Sequence, residues 1–187
     1  MIRGMCGIAG FNWADRELAS RMVEAIAHRG PDQQGVEVVG EATLGAVRLS
    51  ILDLSPNGSQ PMRTEDGRFW IAYNGETYNF REVRRHLEAR GHAFRSGTDT
   101  EVVLRAYAEH GPACLEHLHG MFAFAIYDAA RREFFLARDR VGIKPLYYRL
   151  AGGRFLFASE IKALLADPTV PRALDPQSLY DYLGWEF

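Results

Sequence analysis

Short apolar runs of strand length recur along this chain, many apolar on both faces, with gaps between several of them only a hairpin long. MCGIAGFNW (5–13), QGVEVVG (34–40) and ATLGAVRLSIL (42–52) open the series, with Gly40-Glu41 as a turn between the last two. FWIAYNGETYN (69–79) reads as a strand, a tight turn and a second strand. MFAFAIYD (121–128), EFFLAR (133–138), LYYRL (146–150) and RFLFAS (154–158) follow, with Gly152-Gly153 as a hairpin turn. Strands apolar on both sides need cover on both sides, so a layered sandwich is expected.

The helical signals fall in groups between these runs. Leu18, Met22 and Ile26 make one apolar face over 15–28, which HRGPD (28–32) ends through Gly30-Pro31. Asn79 is placed to cap a helix reaching about Arg90, with Val83 and Leu87 inward and Gly91 as its stop. Thr98 with Glu101 fits a capping box for a helix over 99–110. Short helices are expected over 160–166 and 177–184, the latter after Pro168, Pro171 and Pro176, while DLSPNGSQP (53–61) is a loop by composition. Grouped helices and hairpin-linked strands give an α+β fold with mostly antiparallel sheets, not a doubly wound parallel sheet.

Composition narrows the function classes. Hydrophobic residues make up 47% of the 187 residues, an average globular value that excludes disorder as the main state. Lys and Arg number 22 against 24 Asp and Glu, a net −2 that argues against a surface built for nucleic acid or anionic membrane. No apolar run approaches the ~20 residues of a spanning helix. Cys6 and Cys114 are the two cysteines, too few for a disulfide framework. MIRGM before Cys6 has no apolar stretch of the kind a signal or lipoprotein start requires, so the expected location is cytoplasmic. There is no paired-cysteine knuckle and no HExxH, and His117 and His119 would share a face only in a strand, so no metal is expected.

Taken singly, the residues that could carry chemistry remain open. Cys6 is either a small core residue or a nucleophile; if Met5 were removed, its own α-amine, with an ordinary pKa of ~7.7–8.0, could take the thiol proton. YNGE (73–76) is either an Asn-Gly turn or an oxyanion hole made by the Asn74 side chain and the Gly75 N–H. Arg48, interrupting an apolar strand, suits a structural ion pair or a substrate carboxylate. Asp99 suits a helix start or a substrate amine. SGTDT (96–100) lacks the second glycine and final serine of an SGGxDS pyrophosphatase loop.

Together, MCGIAGF, HRGPD, RLSILDLS…QPM, YNGETYNF, SGTDTEV, GMFAFAIYD, ARDRVGIKPLYY and FASEIKALL resemble, in this order, the class II glutamine amidotransferase domain. The likeness is nearest to the N-terminal half of glutamine-dependent asparagine synthetases and runs from residue 5 to about 166. It implies the αββα four-layer sandwich of the N-terminal nucleophile hydrolases. It also implies that Cys6 attacks the glutamine side-chain amide, releasing ammonia through a thioester, with its own α-amine as base. Asn74 and Gly75 would form the oxyanion hole, Arg48 would hold the α-carboxylate and Asp99 the α-amine. Leu49, Ser50, Ile51, Leu52 and Glu76 would lie on the glutamine-binding segments, and Arg29 would be structural.

The same resemblance sets the expected organisation. Residues 1–5 would be a leader or a mis-assigned start, because the family's cysteine is the first residue of the mature chain. Residues 6–166 would be the amidotransferase domain, and 167–187 a linker and the opening of a synthetase domain for which this sequence has no room. ATP and Mg would belong to that domain, not to this chain. The expected partners are glutamine, an ATP-dependent synthetase domain or subunit and, with less to define it, a second copy in a homodimer. The alternative is a non-catalytic or blocked module that keeps the fold and binds a synthetase.

Overall fold

The computed structural model describes residues 5–185, so the expected leader at 1–5 lies outside it except for Met5, as do the last two residues of the expected tail. Among the described residues there are two sheets, with every strand pairing antiparallel. The first has the strand order β2 (Gln33–Val39), β3 (Ala42–Arg48), β1 (Gly7–Phe11), β9 (Arg154–Ala158) and β8 (Tyr147–Ala151). The second has the order β4 (Met62–Arg63), β5 (Phe69–Thr77), β6 (Gly120–Asp128) and β7 (Glu133–Arg138). Helix α1 (Arg16–Ala25) and the short α4 (Ile161–Leu164) cover the first sheet; α3 (Asp99–His110) covers the second, with α2 (Phe80–Glu88) packed on α3. A last helix, α5 (Pro176–Trp185), buries none of its residues.

Side-chain alternation sorts each strand between two environments. In β1, Ala9 and Phe11 meet α1 beside Leu18, Met22 and Val23, whereas Ile8 points the other way. In β5, Ile71 and Tyr73 join Val103, Leu104 and Phe124 beneath α3, whereas Ala72 points to the first sheet. Between the sheets lies a thin layer of Ile8, Ala42, Leu44, Ala46, Ala72, Ala125, Tyr127 and Phe157. The four layers are therefore helix, sheet, sheet, helix, as the resemblance implies.

Several local expectations change in the folded chain. FWIAYNGETYN holds no turn at Asn74-Gly75: β5 runs unbroken to Thr77, pairing Asn74 with Ala123 and Gly75 with Phe122, and the chain turns only at Tyr78 and Asn79, with no second strand. A Cβ at position 75 would lie 2.5 Å from the Met121 carbonyl oxygen, so Gly75 serves the close approach of β6 and not a reversal. The first helix ends earlier than HRGPD, at Ala25, and one 3-10 turn (Ala27–Arg29) links it to Gly30. Asn79 starts α2 without capping it; its side chain instead bridges the His117 carbonyl and the His119 N–H. At α3 only half of a capping box forms. Thr98 accepts from the Glu101 N–H, but the Glu101 carboxylate turns to the N–H groups of Arg95 and Ser96. The Gly152-Gly153 hairpin stands as read, with φ of +58° and +76°.

Phe157 is fully buried between the sheets, so Phe157→Ala is expected to cost about 3–5 kcal/mol. Tyr148→Ala, on the exposed face of β8, is expected to stay within about 0.5 kcal/mol. Urea unfolding followed by tryptophan fluorescence measures both.

Candidate active site

Strand parity brings the chemistry together. Cys6 precedes β1 in the same alternation as Ile8, Arg48 ends β3 in the alternation of Leu44 and Ala46, and Asn74 shares its side of β5 with Ala72. All three side chains therefore project toward the space between the sheets, Cys6 and Arg48 from the ends of their strands and Asn74 from within β5. A cavity of about 120 Å³ opens there, lined by Cys6, Arg48, Leu49, Asn74 and Gly75. Ile51, Leu52, Glu76 and Asp99 complete the expected set on its walls. Ser50 is the exception and does not line it; its N–H is tied to the Asp32 carboxylate at 2.7 Å.

The HRGPD segment fixes the strand ends around the thiol. Arg29 donates from Nε to the Cys6 carbonyl oxygen at 3.0 Å and from Nη1 to Glu160 at 2.9 Å, a structural role as expected. Gly30 lies against the end of β3: a Cβ there would be 2.4 Å from the Arg48 nitrogen. The Asp32 N–H then donates to the Arg48 carbonyl at 3.1 Å. One short segment thus clamps both the residue bearing the thiol and the strand bearing the guanidinium.

The Cys6 sulfur receives the Leu49 N–H at 3.4 Å, and its S–H reaches back to the Leu49 carbonyl at 3.8 Å. Burial pushes the thiol above its ordinary 9.0; the Leu49 N–H and the Arg48 charge pull against this, Asp99 adds to it, and Lys144 opposes it. A thiol so placed is neutral near pH 7 and needs a base to react.

Asn74 is completely buried, yet among the described residues neither Oδ1 nor Nδ2 has a hydrogen-bond partner. Leaving a buried polar group unpaired costs about 1–3 kcal/mol, and both atoms of this amide are open to a partner on the cavity wall. Arg48 is also buried. Its Nη2 holds the Leu52 and Asp53 carbonyl oxygens at 2.7 and 2.6 Å, with no hydrogen bond from Nε or Nη1 among the described residues. Asp99 accepts on Oδ2 from the Tyr73 hydroxyl at 3.0 Å and the Thr77 N–H at 2.8 Å. Burial raises its pKa, while those two bonds hold it back. Its other oxygen has no hydrogen bond from another side chain or strand among the described residues.

Sequence reading missed part of the wall. Gln60 comes from the loop that composition marked only as irregular. It donates to Thr100 at 3.4 Å and accepts the Tyr73 N–H at 2.7 Å, tying β5 to α3 behind the cavity. Lys144 lines the cavity with its side chain buried, and its one sequence signal was a lysine inside the apolar GIKPLYY. SGTDT is no phosphate cradle: Ser96 and Thr98 serve Glu101, and the Gly97 N–H is held by Asp53 at 2.7 Å. Among the described residues, no group of three or more His, Cys, Asp or Glu side chains is placed to hold a metal, and no helix is long and apolar enough to cross a membrane.

Two stacked antiparallel sheets between helices, with a thiol at the head of a central strand, are an architecture that glutamine phosphoribosylpyrophosphate amidotransferase of Bacillus subtilis shares at a TM-score of 0.72 and 23% identity, over 86% of this chain and 43% of that one. The chain belongs to the glutamine amidotransferase domain family, whose profile matches residues 5–187. Two glutamine-hydrolyzing asparagine synthetases of Bacillus subtilis, numbers 3 and 1, are each 40% identical to it, over 96% and 98% of this chain respectively. The chain spans 30% of the length of each of these relatives.

Cys114 lies fully buried under α3, and burial pushes its thiol up to about 12. Brief iodoacetamide treatment of the native protein is therefore expected to label Cys6 and spare Cys114, with labelling of Cys6 rising as pH passes above its ordinary 9.0. Peptide mass mapping across a pH series reads both.

Proposed function

We propose that this chain hydrolyses the side-chain amide of glutamine and supplies ammonia to an asparagine synthetase-type partner. The observation that carries this reading is the buried, unpartnered Asn74 amide on the same small cavity as the Cys6 thiol. The cavity suits a small polar molecule, and Arg48 and Asp99 give it one cationic and one anionic group. That pairing matches a free amino acid, whose carboxylate and amine carry the opposite charges.

In this reading the Cys6 sulfur attacks the amide carbon of the side chain. The thiol proton passes to the Cys6 α-amine and then to the departing nitrogen, so the C–N bond breaks and ammonia leaves. Asn74 Nδ2 and the Gly75 N–H hold the oxygen that becomes negative in the tetrahedral intermediate. Water then cleaves the thioester, giving glutamate and the free thiol. Arg48 binds the α-carboxylate through the N–H groups not spent on Leu52 and Asp53, and Asp99 binds the α-amine. Leu49, Ile51, Leu52 and Glu76 shape the pocket.

The base requires a free amine on Cys6. In the sequence as it stands Met5 precedes Cys6, and a peptide bond there turns the amine into an amide with no proton affinity at neutral pH. The catalytic form is the one that begins at Cys6; the form with Met5 attached is the blocked module. Activation of an acceptor carboxylate by adenylation, with ATP and Mg, is assigned to a synthetase domain, and the two free cysteines suit a reducing, cytoplasmic setting.

Glutaminase assays on the chain beginning at Cys6 test this. Cys6→Ala is expected to abolish activity and Cys114→Ala to leave it nearly unchanged. Asn74→Ala is expected to lower kcat by about 10²–10³-fold, as loss of an oxyanion donor does. Arg48→Gln is expected to act chiefly on KM, because the carboxylate is held equally in ground and transition states. An inactive Cys6-start form would leave only the module reading, and equal kcat losses at positions 48 and 74 with KM unchanged would overturn the assigned roles.

A further inference from the structure

We propose that Lys144 is a positioning residue for this reaction: its buried ammonium, set beside the start of Cys6, keeps the Cys6 α-amine in the neutral form that accepts the thiol proton. The inference rests on the glutaminase reading above and adds a group to it.

Lys144 is 5% exposed and lines the cavity together with Met5 and Cys6. A buried ammonium is normally paired with a carboxylate. Among the described residues Lys144 has no such partner; its Nζ donates only to the Met5 thioether, at 3.0 Å. Thioether sulfur is a weak acceptor, so that contact does not account for placing a charge there.

The backbone around it is fixed by hydrogen bonds that aim the side chain inward. The Asp139 carboxylate accepts the N–H groups of Phe122, Ile143 and Lys144 at 3.3, 2.8 and 3.0 Å. Arg138 holds the Lys144 carbonyl at 2.7 Å and also the Gly142 carbonyl. The ARDRVGIKP segment is thus a rigid mount whose product is one cation directed at the head of β1.

Lys144 Nζ touches the side chain of Met5, the residue bonded to the Cys6 nitrogen, and Lys144 and Cys6 line the same cavity. When the chain begins at Cys6, the thioether is gone and the ammonium and the α-amine share that cavity. A like charge disfavours protonation, so the positive charge on Lys144 lowers the pKa of the α-amine. The same charge favours the thiolate, which places both effects on the side of proton transfer from sulfur to nitrogen. Arg29, from the 3-10 turn, adds positive charge facing Lys144, while Glu76 from β5 and Asp139 offset it; Arg48 and Asp99 face Cys6 with opposite signs. Burial and Arg29 draw the Lys144 ammonium below its ordinary 10.5.

Removing residues 1–5 takes away from the described fold the Met5 N–H bond to Arg29 and the thioether contact; the sheet pairing starts at Gly7, so the Cys6-start form keeps its fold. In that form two measurements decide. The first is the pKa of the α-amine itself, by NMR titration of ¹⁵N-labelled residue 6 in a Cys6→Ala background, which needs no turnover and no thiol. Lys144→Met is expected to raise it by about 0.5–1 pH unit, the size of one unit charge at several Å in a partly screened site. Lys144→Arg is expected to restore it. The second is the pH profile of kcat/KM for glutamine, whose acid limb is expected to move upward by the same amount in Lys144→Met. An α-amine pKa unmoved by Lys144→Met, or a fall in activity equal at every pH, overturns the role of Lys144 while leaving the glutaminase intact. A parent form that does not hydrolyse glutamine overturns the glutaminase reading instead, and the NMR shift still decides whether Lys144 tunes the amine.

Discussion

Face-to-face stacking of the two sheets is the constraint on which this molecule turns. Half of the buried layer between them is alanine, Ala42, Ala46, Ala72 and Ala125, with Ile8, Leu44, Tyr127 and Phe157 as the larger members. Small side chains let the sheets approach closely, and interior packing density then leaves no slack for one sheet to slide on the other. The relative placement of β1, β3 and β5 is fixed by that contact. So is the meeting of a thiol from one sheet with an amide from the other.

Where the layer ends, its chemistry inverts. Along the strands the facing residues are apolar, and toward one edge of the layer they become Cys6, Arg48 and Asn74 without any change of alternation. The site is the continuation of the core by polar means. This explains how Asn74 can be wholly buried and unmatched: the surrounding apolar contacts hold it in place, and their stability offsets the desolvated amide. The buried charges obey the same logic. Arg48 is steadied by two backbone carbonyls and Lys144 by the tight segment behind it, so each guanidinium or ammonium is held by its mount and not by an opposite charge.

Much of this was legible in the sequence, and the exceptions have physical causes. The antiparallel sandwich follows from runs apolar on both faces, and the motif series names Cys6, Arg48, Asn74 and Asp99, which the fold brings to one cavity. The Asn-Gly pair misled because local turn propensity was weighed without the partner strand: the approach of β6 at Met121 demands glycine at 75 in an extended chain. Asn79 and Glu101 misled for a related reason. Their side chains had better offers from segments distant in sequence, His117 and His119 for one, Arg95 and Ser96 for the other. Gln60 and Lys144 were overlooked because their importance lies in what they face, and a single polar residue in a loop or an apolar run carries no period to reveal it. Ser50 shows how a residue on such a segment can be spent on holding it, through its N–H to Asp32.

The unbroken run of β5 has a consequence for how this chain can change over generations. A residue gained or lost at the Gly40-Glu41 or Gly152-Gly153 turns alters only the length of a solvent-facing reversal. The same event between Phe69 and Asn74 would reverse which side of the sheet every later residue occupies, since the side-chain period is two. Tyr73, now beneath α3, and Asn74 would exchange surroundings, and the ladder with β6 would have to break or bulge to prevent it. Descent with insertions and deletions is therefore open to this fold at its hairpins and closed along one nine-residue strand.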